Sequence, residues 1–162
     1  MLRRSSRGES MTVKEVTDKN EKLRIARLIL EALPDWFGIP EARENYISES
    51  AEQFFAAAFD GEAPIGFICL KETGRDTAEL AVMGVLKEYH RKGVGTALFE
   101  TAKAAAVRFG YSFLQVKTVQ MGRYADYDDT NRFYLALGFK EFEVFPTLWD
   151  ECNPCQIYVM AL

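Results

Sequence analysis

Apolar and polar residues change their spacing several times along the chain, and each change predicts a new element of secondary structure. Residues 11–17 alternate between apolar and polar, as a strand does. Residues 23–33 carry apolar side chains at helical spacing, and Pro34 ends that helix. A loop is expected between Pro34 and Pro40, with a polar helix after it over residues 41–50.

Three apolar runs then follow one another, at residues 53–60, 64–72 and 77–85. The dipeptide Asp60-Gly61 between the first two is typical of a hairpin turn. The third run leads into a helix predicted over residues 94–109, because apolar side chains recur there every three or four positions. Gly110 is expected to end that helix.

The last third of the chain alternates strand and helix. A strand is predicted at residues 111–119, and a short helix begins with a cap at Asp128 or Asp129 and ends at Gly138. Late strands are expected at residues 139–145 and 156–162. This order, behind the earlier hairpin, predicts a mixed α/β sheet. No repeat or linker interrupts it, so residues 11–162 are expected to form one domain after a disordered extension at residues 1–10.

Composition narrows the class of protein. The 162 residues are 48% hydrophobic and 27% charged, which is typical of a soluble globular domain. A net charge of −4 argues against a nucleic-acid partner and leans toward a cationic substrate. No run approaches the roughly 18 apolar residues of a membrane span, and residues 1–10 lack the apolar core of a secretory signal. No membrane partner is expected, and the cytoplasm is the expected location.

Cys152 and Cys155 form a C-x-x-C pair, a spacing that zinc and redox sites also use. A structural zinc site needs four ligands, and Cys69 and His90, which remain, have no partner at a suitable spacing. A redox pair prefers a helix N-terminus, whereas a strand is predicted after Cys155. The sequence therefore predicts two thiols beside a proline-containing turn, with neither a metal nor a disulfide framework.

The segment EYHRKGVGTAL, residues 88–98, places Gly93 and Gly95 where a strand joins a helix. Glycine costs backbone entropy there, so either the turn needs a positive φ or a ligand must approach the main chain. The N–H groups of residues 91–96, at a helix N-terminus, would face one anion. The segment lacks the Lys-Ser/Thr of a P-loop and the third glycine of a dinucleotide fingerprint, so neither of those sites is predicted.

Two segments of the sequence resemble motifs of a known family. VLKEYHRKGVGTAL resembles the acetyl-CoA-binding motif of the GNAT superfamily of N-acetyltransferases, Arg/Gln-x-x-Gly-x-Gly/Ala, and NRFYLALGFKEFE resembles its second motif. The resemblance covers about residues 11–162. It implies the GNAT fold, a mixed and mostly antiparallel central sheet of six to seven strands flanked by about four helices. It also implies transfer of an acetyl group from acetyl-CoA, as co-substrate, to a primary amine by direct attack in a ternary complex.

The same resemblance implies a cofactor site. Met83, Gly84 and Val85 match the strand whose backbone pairs with pantetheine, as an added strand would. The residues that match the pyrophosphate loop are Arg91, Lys92, Gly93, Val94, Gly95 and Thr96. His90 stands where the family has Arg or Gln, and an exposed turn residue is the alternative to a direct contact. Tyr127 stands where many members have an asparagine that reaches the CoA arm. Whether Tyr127 makes the same contact is left open.

Two residues match catalytic positions of the family. Tyr134 matches the tyrosine that protonates the leaving CoA thiolate, and a core aromatic is the alternative. Glu79 lies six residues before Val85, where one branch of the family has a carboxylate that deprotonates the amine. A surface carboxylate, with water as the base, is the alternative. N–H donors of the strand near Val85 would meet the developing oxyanion.

Two segments are predicted to line the acceptor pocket. Trp36 and Phe37 lie between two prolines, where GNAT proteins have one wall; a cap on the core is the alternative. The segment PTLWDECNPC is the second, and its Asp150 and Glu151 offer carboxylates to a cation. The sequence thus predicts an acetyltransferase whose acceptor is unspecified. A CoA-binding sensor or interaction module that has lost catalysis is the alternative from another class, and a homodimer stays open.

Overall fold

A computed structural model describes residues 11–162, so the extension predicted for residues 1–10 lies outside the described residues. The described residues contain one sheet, whose strands are β1 (Met11–Glu15), β2 (Phe54–Asp60), β3 (Ala63–Gly74), β4 (Thr77–Val85), β5 (Phe113–Val119), β6 (Lys140–Asp150) and β7 (Asn153–Ala161). The helices are α1 (Lys19–Glu31), α2 (Pro34–Phe37), α3 (Pro40–Ser50), α4 (Val94–Arg108) and α5 (Ala125–Leu137).

The strand order across the sheet is β1-β2-β3-β4-β5-β7-β6. Among the described strands only β4 and β5 run parallel, and the other neighbours are antiparallel. Helix α4 makes the crossover that a parallel pair requires. The Asp60-Gly61 hairpin joins β2 to β3 as expected. The predicted mixed, mostly antiparallel sheet is therefore confirmed.

The two faces of the sheet bury separate cores, because successive strand residues point to opposite faces. Helix α4 covers one face, where Leu98 and Phe99 pack with strand residues such as Ile68. Helix α1 covers the other face through Ile25 and Ile29. Burial of each such side chain contributes roughly 1.5–3 kcal/mol. Both faces of the sheet are thus covered by helices around β3 and β4, and β4 leads to the candidate active site.

Several predicted boundaries are wrong. The late strands are longer than expected, since β6 continues past residue 145 to Asp150 and β7 begins before residue 156, at Asn153. The segment between Pro34 and Pro40 was expected to be a loop, yet its first four residues form α2, because proline is accommodated in the first turn of a helix. The last helix was expected to begin at Asp128 or Asp129, yet it begins at Ala125. The Asp128 carboxylate instead accepts the N–H of Gly122 at 2.7 Å, which fixes the turn before the helix.

Candidate active site

The parallel strands β4 and β5 separate after a short stretch of pairing. They pair only from Thr77 with Phe113 to Glu79 with Gln115. Two residues later β4 carries a bulge at Ala81, since Cys69 and Leu70 of β3 pair with Val82 and Leu80. A bulge bends its strand and increases the local twist. Residues 80–85 of β4 therefore have no pairing partner on β5. The gap between the carboxyl ends of the two strands is called the cleft below.

The turn between β4 and α4 forms one edge of this cleft. After a 3-10 turn at Lys87–Tyr89, the backbone reaches a positive φ of 59° at Arg91 and of 81° at Gly93. Within the described part of the chain, the N–H groups of residues 91–96 have no main-chain acceptor, and the first that does is Ala97, which donates to Gly93. Free N–H groups of such a turn and of a helix N-terminus converge on an anion.

The two glycines of the turn have different roles. Gly93 adopts the left-handed conformation, with no atom within 4 Å of the position of a Cβ. It is therefore required for its φ. Gly95 is helical, and a Cβ there would lie 3.1 Å from the ring of Phe133. The missing side chain of Gly95 makes room for α5, so packing against Phe133 is a second reason for a glycine in the predicted pyrophosphate loop.

His90 precedes this turn, and its ring contacts protein. The ring Nε2 donates to the carbonyl of Val85 at 2.7 Å, because a carbonyl can only accept. The same ring meets Trp36 edge-on, with centroids 5.7 Å apart. His90 is an exposed turn residue, as one of the two alternatives predicts, and its ring also contacts Val85 and Trp36. His90 ties the last residue of β4 to the start of the turn.

Tyr134 lies on α5 and is 7% exposed. Its ring packs against Phe139 and Tyr158, at centroid distances of 5.8 and 6.3 Å. Burial raises the pKa of its phenol above the ordinary value, and the nearby Tyr46 and Tyr127 add to the shift. No group among residues 11–162 accepts or donates a hydrogen bond at its hydroxyl. The phenol is thus buried and protonated, and its hydroxyl makes no hydrogen bond to a described residue.

Asn131 fixes the position of α5, and the sequence analysis did not identify it. It is fully buried, and its Nδ2 donates to the carbonyls of Val119 at 2.8 Å and Tyr127 at 2.7 Å. Its Oδ1 accepts the hydroxyl of Tyr158 at 2.6 Å. Asn131 therefore joins α5 to β5 and β7, three residues before Tyr134. The only signal in the sequence is an amide on the side of the helix that carries Tyr134.

Tyr127 does not point freely into the cleft. Its hydroxyl donates to the main-chain carbonyl of Trp36 at 3.1 Å, which joins α5 to α2. Trp36 and Phe37 are half-buried, and the Phe37 ring packs edge-on against Tyr46 of α3. The predicted wall around Trp36 thus lies beside the ends of β4 and α5, at the opening of the cleft.

Glu79 is placed where the strands separate, and it is 5% exposed. Its carboxylate pairs with two ammonium groups, Lys117 Nζ at 2.9 Å and Lys71 Nζ at 3.3 Å. The alternative of a surface carboxylate is therefore wrong. A buried carboxylate is costly unless it is paired, and the two lysines provide that pairing.

The second predicted wall, residues 146–155, comprises the end of β6, the turn at residues 151–152 and the start of β7. Since β7 is antiparallel to β5, this turn lies at the same end of the sheet as the cleft. The Asp150 carboxylate is committed to the turn, because its Oδ1 accepts the N–H groups of Cys152 and Asn153, each at 2.9 Å. Glu151 is exposed. Asp150 thus has a structural role that the sequence did not indicate.

The cysteines are free thiols. Cys152 is exposed in the turn, whereas Cys155 is buried within β7, and burial raises the pKa of the Cys155 thiol to about 11. Residues 11–162 bring together no group of three or more His, Cys, Asp or Glu that could hold a metal ion. In the same part of the chain no helix is long and apolar enough to cross a membrane.

Comparisons with known proteins agree with this geometry. The model of the acetyltransferase (GNAT) family matches residues 23–139. An uncharacterised N-acetyltransferase of Chlorobaculum tepidum is 31% identical over 115 residues, which are 69% of this chain and 66% of that protein. The match thus spans just under two thirds of the relative's length.

Solved structures share the fold at low sequence identity. A structure described as a GNAT-family acetyltransferase, from Desulfovibrio desulfuricans, has a TM-score of 0.79 at 18% identity, covering 93% of this chain and 98% of that one. A GNAT-family acetyltransferase of Elizabethkingia anophelis, solved with acetyl-CoA bound, has a TM-score of 0.68 at 16% identity, covering 95% and 99%.

The chain belongs to the GNAT family of acetyltransferases. The family resemblance noted in the sequence is therefore confirmed, and so is the GNAT fold. Acetyl-CoA is the co-substrate that this family uses.

Proposed function

We propose that this protein transfers the acetyl group of acetyl-CoA to a primary amine, by direct attack of the amine on the thioester within a ternary complex. The observation that carries the proposal is the series of N–H groups from Arg91 to Thr96, which no described main-chain carbonyl accepts, at the edge of the cleft between β4 and β5. Such a series is suited to the pyrophosphate of coenzyme A.

The residues present fit this co-substrate. Arg91 and Lys92 add positive charge to the turn, and both their side chains are exposed. Gly93 keeps its side open, since no atom lies within 4 Å of its Cβ position. Residues Met83, Gly84 and Val85 belong to the part of β4 that has no partner on β5, so this edge can pair with the pantetheine arm. When bound, acetyl-CoA supplies the activated acyl group.

Tyr134 is the proposed general acid. A leaving thiolate departs more easily when a proton meets it, and a positioned acid contributes roughly 10²–10⁴-fold in rate. The raised pKa of the Tyr134 phenol keeps its proton in place throughout the neutral range. Its hydroxyl has no partner among the described residues, so the proton is available for transfer. Asn131 holds the helix that carries it.

Glu79 is the proposed base, because an ammonium cannot attack a thioester until it loses a proton. Its position at the point where β4 and β5 separate supports this role. Its pairing with Lys71 and Lys117 supports a purely structural role, with water as the base. The pH dependence of turnover in a Glu79→Gln variant distinguishes the two roles.

We propose that Trp36 and Phe37 line the acceptor side, because both are half-buried at the opening of the cleft. Glu151, which is exposed, offers a negative charge to a cationic acceptor on the opposite side. The Asp150 carboxylate has little capacity left for an acceptor, because both of its oxygens already accept hydrogen bonds from the turn and the Asn153 side-chain amide. Asp150 therefore contributes to the acceptor side by shaping the turn.

The test is release of free CoA thiol from acetyl-CoA in the presence of a panel of amines: polyamines, amino acids, an aminoglycoside and peptides with free N-termini. Thiol release that depends on one class of amine, with an acetylated product of matching mass, supports the proposal. The Tyr134→Phe variant is the control for the site. Binding of coenzyme A by calorimetry, with no amine accelerating thiol release, would instead favour the sensor without catalysis.

A further inference from the structure

Helix α2 has little buried surface, although Asp35 forms an ion pair with Lys87 and both aromatic side chains pack against the core. None of its four residues is buried, and it has no side-chain cap. Phe37 packs toward α3, at 5.8 Å from the Tyr46 ring, whereas Trp36 faces the end of β4. A segment with little buried surface depends on a few specific contacts for its position. The contacts of Trp36, together with the Asp35–Lys87 ion pair, therefore determine where this wall of the cleft lies.

Two of those contacts come from elements of the cofactor site. The Tyr127 hydroxyl, on α5, donates to the Trp36 carbonyl at 3.1 Å. The His90 ring, directly before the turn of free N–H groups, meets the Trp36 ring edge-on at 5.7 Å. That same ring is held to the Val85 carbonyl at 2.7 Å, so its orientation is fixed from the strand side. Trp36 is thus attached to both sides of the region that would hold coenzyme A.

We propose that Tyr127 and His90 are positioning residues that hold the Trp36 segment against the cofactor site, so that occupancy of the turn at residues 91–96 and placement of the acceptor wall are coupled. The inference rests on the proposed function, because it takes that turn as the coenzyme A site. An anion held by residues 91–96 orders the segment that carries His90, and His90 in turn restrains Trp36. Coupling of this kind is reciprocal, so a wall held in place also favours coenzyme A.

This assignment gives Tyr127 a different role from a direct cofactor ligand. If Tyr127 contacts the CoA arm, its hydroxyl contributes to coenzyme A affinity and leaves Trp36 unaffected. If it positions α2, loss of the hydroxyl frees Trp36 first. One net hydrogen bond corresponds to roughly a two- to tenfold change in population, which a spectroscopic measurement detects.

The chain offers a direct probe, because it contains two tryptophans, Trp36 and Trp149. In a Trp149→Phe background, fluorescence reports on Trp36 alone. Acrylamide quenching then measures the solvent access of Trp36, with and without coenzyme A. The test variant is Tyr127→Phe, and the matched control is Tyr124→Phe, which removes a phenol hydroxyl with no hydrogen-bond partner among the described residues.

We expect coenzyme A to lower the quenching constant of Trp36 in the parent protein and in Tyr124→Phe. In Tyr127→Phe the free protein should be quenched more strongly, because the population with Trp36 detached rises roughly two- to tenfold. His90→Gln is the second variant: an amide N–H can still reach the Val85 carbonyl, but no ring meets Trp36. It should bind coenzyme A while losing the effect of coenzyme A on Trp36. Once an acceptor is known, Tyr127→Phe should raise the acceptor KM more than kcat falls.

Equal quenching in Tyr127→Phe and Tyr124→Phe, with and without coenzyme A, would overturn the inference. So would a Tyr127→Phe variant that loses coenzyme A affinity while Trp36 keeps its parental quenching, since that is the signature of a direct ligand. Failure of the proposed function has a different signature: calorimetry would detect no coenzyme A binding to the parent. The comparison of the free Tyr127→Phe and Tyr124→Phe proteins still tests the positioning contact in that case.

Discussion

Gly95 of α4 and the ring of Phe133 of α5 are in direct apposition: a Cβ on Gly95 would lie 3.1 Å from that ring. The N-terminus of α4 and the helix that carries Tyr134 therefore touch through a missing side chain. We predict that Gly95→Val lowers Tm, because the added atoms displace Phe133. Overpacking of this kind costs typically 1–3 kcal/mol.

The double variant Gly95→Val with Phe133→Leu checks this explanation. Thermal unfolding of the two single variants and the double variant forms a double-mutant cycle. The smaller leucine should recover part of the lost stability. Strictly additive losses would mean that Gly95 and Phe133 do not interact.

Alanine substitutions of Gly93 and Gly110 separate the effect of backbone strain from the effect on coenzyme A binding. Both have a positive φ, 81° and 88°, and both have open space around the Cβ position. Alanine at either position should cost about 1–2 kcal/mol, the usual penalty of the left-handed conformation. Gly93→Ala should also weaken coenzyme A binding in calorimetry, because it distorts the turn of free N–H groups. Gly110→Ala, at the far end of α4, should not. Equal affinities in the two variants would contradict the role assigned to the turn.

Tyr134→Phe should reduce turnover by roughly 10²–10⁴-fold while coenzyme A affinity stays close to that of the parent. The ring and its packing are kept, and only the hydroxyl is lost, so Tm should change little. Steady-state kinetics and calorimetry on the same preparation make the measurement. A variant that runs at the parental rate with its true acceptor would mean that water protonates the thiolate.

The pH dependence of turnover follows from the same residue. Burial raises the pKa of the Tyr134 phenol above its ordinary value of about 10. A raised pKa preserves the protonated, acid form as the pH increases, so no loss of rate from Tyr134 is expected below about pH 10. A rate that falls with an apparent pKa near 8 in the parent, but not in Tyr134→Phe, would contradict this assignment.

Glu79→Gln tests the base. If the carboxylate takes the proton of the amine, the variant should be slow at neutral pH and recover partly at high pH, where the amine is deprotonated without help. If the carboxylate only pairs with Lys71 and Lys117, the variant should lose stability and keep the shape of the parental pH profile. The rate profile and Tm, measured together, distinguish the two.

The thiols should differ sharply in reactivity. Cys152 is exposed, whereas burial raises the pKa of Cys155 to about 11 and also raises that of Cys69. Since the thiolate is the reactive form, an alkylating agent at pH 8 should label Cys152 alone in the folded protein. Peptide mapping by mass spectrometry reads the result. Rapid labelling of Cys155 would mean that β7 opens in solution.

The sequence by itself determined the order of the elements and the family. Alternating and helical periods predicted the strands and the long helices, because those patterns depend on local geometry and on which face is buried. The glycine turn and the later Tyr134 motif identified the GNAT family, since these residues serve the same local backbone shapes wherever they occur. The hairpin at Asp60-Gly61 was also predicted correctly, because a turn depends on its local residues.

Tertiary structure alone decided how distant residues meet. Tyr127 and Trp36 are 91 positions apart in the chain, and no local pattern indicates that one donates to the carbonyl of the other. The sequence left Glu79 as either a base or a surface carboxylate, and only the approach of Lys117 from β5 shows that it is buried and paired. Gly95 belongs to the predicted pyrophosphate loop, and only the packing of α5 places the ring of Phe133 beside it. Such contacts depend on how the elements pack, and packing joins positions that the sequence keeps apart.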